Sequence, residues 1–180
     1  KNLISGVIIL FERKIRVGDV VTIDGVSGTV TSVDLRATTV RGFDGIEAIV
    51  PNSQLLENRV SNWSYGNPVV RRSVDVGLRY GSDARAASAA VLECARADAA
   101  VLAEPPPEVL FADFGADAQV LRLQYWLRVD GARSGPTVDS ELRHAIAVAF
   151  AARGLEIAFP QRDVHLDVRH PLDVRVQGAA

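Results

Sequence analysis

With 180 residues, 48% of them apolar and 23% charged, the chain has a globular composition rather than a disordered one, and room for one large domain or two small ones. A formal net charge of −2 gives no overall attraction to nucleic acid, and the lone Cys94 excludes a disulfide framework within the chain. A reducing, cytoplasmic setting fits that cysteine usage.

The first element is an unbroken apolar run, Leu3–Phe11, stopped by Glu12-Arg13-Lys14. It is about half as long as the roughly 20 residues that cross a bilayer. Two readings stand open: a buried helix or strand, or the end of a membrane helix whose Arg13, Lys14 and Arg16 mark its exit into cytoplasm. The chain opens at Lys1 and contains no Met, so we expect a segment of a longer polypeptide.

From Val17 to Trp63 the pattern is all-β: Val20–Ile23, Asp24-Gly25, Gly28–Val33, Val40–Phe43 and Ile46–Val50, the last two joined by Asp44-Gly45, a dipeptide suited to a tight hairpin. Strands this short with glycine at the corners predict a small, bent barrel or sandwich. Pro51 ends the last strand, and Asn52 or Ser53 is placed to cap a helical turn over Gln54–Glu57.

Ser64–Pro68 (SYGNP) reads as a linker. Beyond it the order is a strand at Val74–Tyr80, an Ala-rich helix capped by Ser82 or Asp83 and reaching Leu102, strands at Glu108–Phe114 and Val120–Val129, a helix from Pro136 to Gly154, and a strand at Leu155–Phe159. Strand–helix–strand–strand–helix–strand is the ferredoxin-like order. The fold class is therefore α+β. The tail alternates Leu172, Val174 and Val176 with Asp173 and Arg175, and nothing follows to pair with it. It is either a frayed terminus or a strand completed by neighbouring subunits.

No nucleophile–base constellation, metal-ligand spacing, phosphate loop or dinucleotide fingerprint occurs, so neither an enzyme nor a cofactor is expected. Cys94 and His144 sit on or beside apolar helix faces. A carboxylate pair of Asp139 and Glu141 is not expected, because residues two apart on a helix diverge. Arg71-Arg72 either forms a solvated strand edge or lines an opening between two domains, where it would concentrate anions.

Taken together, F-E-R-K-I-R-V-G-D (Phe11–Asp19), G-V-S-G-T-V (Gly25–Val30), Ala37-Thr38-Thr39, I-V-P-N-S-Q-L (Ile49–Leu55), N-W-S (Asn62–Ser64), V-x-x-x-Y-G-S-D (Val76–Asp83), P-P-E-V-L-F (Pro106–Phe111), F-G-A (Phe114–Ala116) and D-V-H-L (Asp163–Leu166) resemble the small-conductance mechanosensitive channel family, MscS. The R-A-T-T and F-G-A elements look closest to its potassium-linked, MscK-like branch. The resemblance implies the cytoplasmic vestibule of a homoheptameric channel of the bacterial inner membrane, opened by membrane tension to release ions and small solutes in osmotic downshock.

It further implies the end of a pore-lining transmembrane helix over residues 1–14, an Sm-like middle β domain over 15–66, a ferredoxin-like αβ domain over 67–166 and a tail over 167–180. Gly6, Val7, Ile8, Leu10 and Phe11 would belong to the pore-helix end, with Gly6 at a position where the family bends that helix. Lys14 stands where many members have Pro. Arg71 and Arg72 would line the lateral portals, and Leu172, Val174 and Val176 would supply an intersubunit parallel barrel. Partners would be other copies of the chain, the membrane and permeating solutes, not nucleic acid. The alternative of a different class is a soluble Sm-like and ferredoxin-like module binding RNA or a small regulator.

Overall fold

Strand alternation and turn chemistry divide the chain between two antiparallel sheets, each with its own apolar cluster. The computed structural model describes residues 2–12, 14–130, 133–165 and 167. The first sheet contains β1 (Val20–Ile23), β2 (Val26–Val33), β3 (Ala37–Gly42), β4 (Glu47–Pro51) and β5 (Val60–Asn62), in the order β4-β3-β2-β1-β5. Two helices accompany it, α1 (Asn2–Glu12) and α2 (Asn52–Glu57). Val21, Ile23, Val30, Val40 and Val50 project from one face and are covered by Leu55 of α2 and Ile9 of α1. The barrel or sandwich expected here thus takes the form of an open sheet whose apolar face the two helices cover.

The two Asp-Gly corners differ. Asp24-Gly25 is the tight two-residue hairpin, with φ of +46° and +84° between the paired Ile23 and Val26. These angles suit the strand twist, and glycine takes the second of them without strain. Asp44-Gly45 lies instead in a wider loop, where Gly42 N donates to Ile46 O and the Asp44 carboxylate accepts from Ile46 N at 3.0 Å.

Asn52 does not cap α2. The helix begins at Asn52 itself, and neither it nor Ser53 provides a side-chain cap. The Asn52 side chain is buried, donating to Asp34 O at 2.8 Å and accepting from Thr38 Oγ1 at 2.9 Å. It ties the β2–β3 corner to the start of α2, an arrangement that a cap would forgo. Asp19 plays a similar part at the other end of the sheet. Its carboxylate accepts from Arg16 N and Asn62 Nδ2, and the Ser64 hydroxyl reaches it at 3.4 Å.

The second sheet contains β6 (Val69–Leu78), β7 (Glu108–Phe114) and β8 (Gln119–Arg128), ordered β6-β8-β7. Central β8 buries Leu121, Leu123, Tyr125 and Leu127 in strict alternation. That face is covered by α3 (Ala84–Ala97), through Ala87, Ala90, Val91 and Ala95, and by α4 (Gly135–Ala152), through Val138, Leu142, Ile146 and Phe150. Each large apolar side chain buried this way contributes about 1.5–3 kcal/mol. Between the two sheets Ser64–Pro68 forms the connection.

Asp83, not Ser82, caps α3, accepting from Arg85 N and Ala86 N. The helix stops at Ala97, five residues short of Leu102. There Asp98 turns its carboxylate onto Ala100 N and offers the backbone a local alternative to helix. Ser134 caps α4 with Pro136 in its first turn, and Gly154 follows the helix at φ +64°. The strand expected at Leu155–Phe159 is reduced to one bridge, Ile157 opposite Leu78, flanked by Arg79 N to Glu156 O and Ala158 N to Gly77 O. It lies on the β6 side of the sheet, the position that completes the ferredoxin-like order.

Replacing Asn52 by Ala leaves Thr38 Oγ1 and Asp34 O without these partners in a buried corner. Urea denaturation of the variant is expected to show a loss of about 1–3 kcal/mol.

Candidate functional site

Among its described side chains, the helix at the start of the chain is anchored at Ile9. Ile9 is buried in the first core, while Ile4, Val7, Ile8 and Phe11 lie exposed, Phe11 at 89%. Gly6 and Leu10 are part of the same helix, described by their backbone alone. No described helix is long and apolar enough to cross a membrane. An apolar helix that leaves most of its described surface uncovered remains the feature to explain. Leu172, Val174 and Val176 lie outside the described residues.

Arg71 and Arg72 do not act as a pair. Successive residues of a strand face opposite sides of the sheet, so Arg72 points toward the helices and Arg71 toward the open face. Arg72 Nε donates to Asp139 Oδ1 at 3.2 Å, and its terminal nitrogen donates to the other carboxylate oxygen. The Tyr125 hydroxyl donates to Asp139 Oδ1 at 2.5 Å. Burial alone would raise the Asp139 pKa, but the donors Arg72 and Tyr125 outweigh it and hold the carboxyl below its usual range. Burial, and then the neighbouring carboxylate, pushes the Tyr125 hydroxyl far above its ordinary value, so it stays a neutral donor. Gly135 makes room for the guanidinium, since a Cβ there would come within 2.8–2.9 Å of it.

Neither Asp139 nor Tyr125 was expected in this role. Two sequence signals mark them: a tyrosine in the buried phase of a strand, whose hydroxyl needs a partner, and an aspartate at i−3 from Leu142 on the buried arc of α4.

On the open face the Arg71 guanidinium lies 5.9 Å from the centre of the Trp126 ring, its neighbour across the β6–β8 ladder. Four residues further along each strand, Arg122 closes a bidentate bridge on Asp75 at 2.7 and 2.8 Å, which lowers the Asp75 pKa. A cleft of about 930 Å³ opens between this face and the first sheet, reaching round the N-terminal part of β6 to the start of α4. Arg71, Arg72 and Arg122 border it together with Phe43 and Trp63, and no Asp or Glu is among its lining residues. Arg72 and Arg122 are matched by Asp139 and Asp75, so Arg71 is the charge on this rim that would draw an anion. No group of His, Cys, Asp or Glu suited to a metal occurs among the described residues.

Asp139→Asn keeps the shape of the buried cluster but leaves Arg72 without its counter-charge. Urea titration at pH 7 is expected to show a loss of about 2–3 kcal/mol, less than the roughly 3–5 kcal/mol of a fully buried pair because Arg72 remains 34% exposed. The native pKa of Asp139 is depressed from 3.8, so its contribution is present above that value and fades as the pH falls through the lower native one. The difference between wild type and variant is therefore expected to shrink below about pH 4.

Two family models cover most of the chain: the mechanosensitive ion channel β-domain matches residues 1–65, and the C-terminal domain of the mechanosensitive ion channel MscS matches residues 73–157. An uncharacterized MscS family protein of Haemophilus influenzae is 40% identical over 165 residues, and the mechanosensitive channel MscK of Escherichia coli is 41% identical over 165. Each alignment takes in 92% of this chain and 15% of the relative, so the chain spans less than a sixth of the length of these proteins. The crystal structure of Helicobacter pylori MscS in its closed state superimposes with a TM-score of 0.85 at 23% identity, covering 93% of this chain and 65% of that one. Its likeness supports the fold read from the two sheets. These are channels rather than enzymes, and nothing here favours an RNA-binding module. The chain belongs to the MscS family of mechanosensitive ion channels.

Proposed function

We propose that the chain forms the cytoplasmic vestibule of a homoheptameric channel in a bacterial inner membrane, opened by bilayer tension to pass ions and small solutes in hypo-osmotic shock. Family membership across both halves of the chain carries this reading. The uncovered apolar helix α1 supports it, because a pore-lining helix passing into the first sheet would need such a surface against its neighbours. In this reading α1, with Gly6, Val7, Ile8, Leu10 and Phe11, is the lower end of that helix, and Leu172, Val174 and Val176 contribute to a shared barrel.

Mechanically, tension favours the state that occupies more membrane area, and the two packed domains hold the helix ends at fixed spacing. The vestibule does not sense tension. It filters solutes through its portals, and there the two arginines separate in role: Arg71 supplies the charge facing solvent, while Arg72 braces α4 against the sheet through Asp139.

Light scattering of the purified chain at high concentration is expected to give a multiple of the monomer mass, and a mass of one copy at every concentration would count heavily against a ring. In bilayers containing the channel-forming polypeptide, Arg71→Glu is expected to move the reversal potential under a salt gradient toward the cation equilibrium value. An unchanged potential removes the portal role of Arg71. The substitution is made at Arg71 alone, since charge reversal at Arg72 would oppose Asp139 and confound selectivity with folding.

A further inference from the structure

Three guanidinium groups border the inter-sheet cleft, and their charges are not equally matched. Arg122 is closed by the Asp75 carboxylate and Arg72 by that of Asp139. Among the described residues Arg71 has no carboxylate partner and rests on the Trp126 ring alone. A guanidinium held over an indole keeps its planar N–H edge for an anion, and it loses little further freedom when one binds.

The opposite wall is aromatic. Trp63 donates its indole N–H to Thr22 Oγ1 at 2.9 Å, and that oxygen lies 2.7 Å from Ser27 Oγ. The indole is thus fixed in orientation with its polar atom already satisfied, yet it remains 46% exposed. Phe43, at the tip of the β3–β4 loop, is 75% exposed and borders the same cleft. Such side chains around an opening of small-molecule size, about 300–1,000 Å³, make a recognisable binding layout: apolar walls and a few polar groups to orient the guest.

We propose that this cleft binds a small organic anion carrying a flat unsaturated ring, with its carboxylate or phosphate on Arg71 and its ring against Trp63 and Phe43. Ser73 and Gln124, cross-strand neighbours on the open face, offer further hydrogen bonds. An inorganic anion satisfies only the cation, and a neutral ring only the aromatic wall. A ligand meeting both spans the two sheets across the Ser64–Pro68 connection and restrains their relative movement. The site shares Arg71 with the portal reading but requires neither a ring of subunits nor a membrane.

Calorimetric titration of the chain with AMP and with 2-naphthoate tests it, the pair distinguishing a phosphate from a carboxylate headgroup. Saturable one-to-one binding of at least one is expected, with inorganic phosphate and neutral 2-naphthamide weaker by about tenfold or more. Arg71→Ala and, separately, Phe43→Ser are each expected to weaken the bound anion by about tenfold while leaving the urea midpoint unchanged. Phe43 lies at an exposed loop tip, so its variant keeps the test decisive should the arginine variant fold poorly. The chain's two tryptophans both flank Arg71 or the cleft, so their fluorescence is expected to change on binding. Failure of both anions to bind, equal binding of the neutral amide, or wild-type affinity in both variants overturns the assignment. None of these results depends on conduction, and an unchanged reversal potential leaves them untouched.

Discussion

A β-strand turns successive side chains to opposite faces, and this alternation organises the second half of the molecule. It directs Arg72 into the layer beneath the helices, where an arginine is tolerated only because Asp139 and Tyr125 meet it. It directs Arg71 the other way, onto Trp126 and toward the cleft. One guanidinium is thereby a fastening between sheet and α4, the other a charge presented to solvent. Glycine at position 135 is part of the same arrangement, since a Cβ there would crowd the Arg72 side chain at 2.8–2.9 Å.

The residues of the family-like motifs mostly satisfy the backbone of the fold. Asn62 and Ser64 of N-W-S converge on Asp19 at the end of the V-G-D turn. Asn52 of P-N-S meets Thr38 from the preceding A-T-T stretch. Tyr80 of Y-G-S-D donates to Gly115 O of F-G-A at 2.6 Å, and Asp83 of the same motif caps α3. Pieces far apart in sequence are thus matched pairs in space. Each pairing meets a polar group at a corner where strand or helix hydrogen bonding runs out. A motif that holds corners together needs no chemistry of its own.

The first sheet is held by a continuous apolar cluster that includes Ile9 of α1. Of the other described apolar side chains of α1, Ile4, Val7 and Phe11 are more than half exposed and Ile8 is 37% exposed. The segment between Asn62 and Val69 joins the two sheets.

Much of this was legible in the residues themselves. Alternation in β8, a cap at Ser82 or Asp83, the start of α4 near Pro136, and the strand–helix–strand–strand–helix order all follow from local periodicity and capping, which depend on neighbours within a few positions. The family could be recognised for the same reason: its corner residues recur in fixed order along the chain. Other features required the folded molecule. Whether Asn52 caps a helix or is buried against Thr38 depends on where β3 lies. Whether Leu155–Phe159 makes a strand or a single bridge depends on how much of the β6 edge it reaches. The separation of Arg71 from Arg72 is implicit in strand geometry, but the partners that give each its role, Asp139 and Trp126, are 67 and 55 positions away. Local rules set which way a side chain points, and only tertiary packing determines what it meets there.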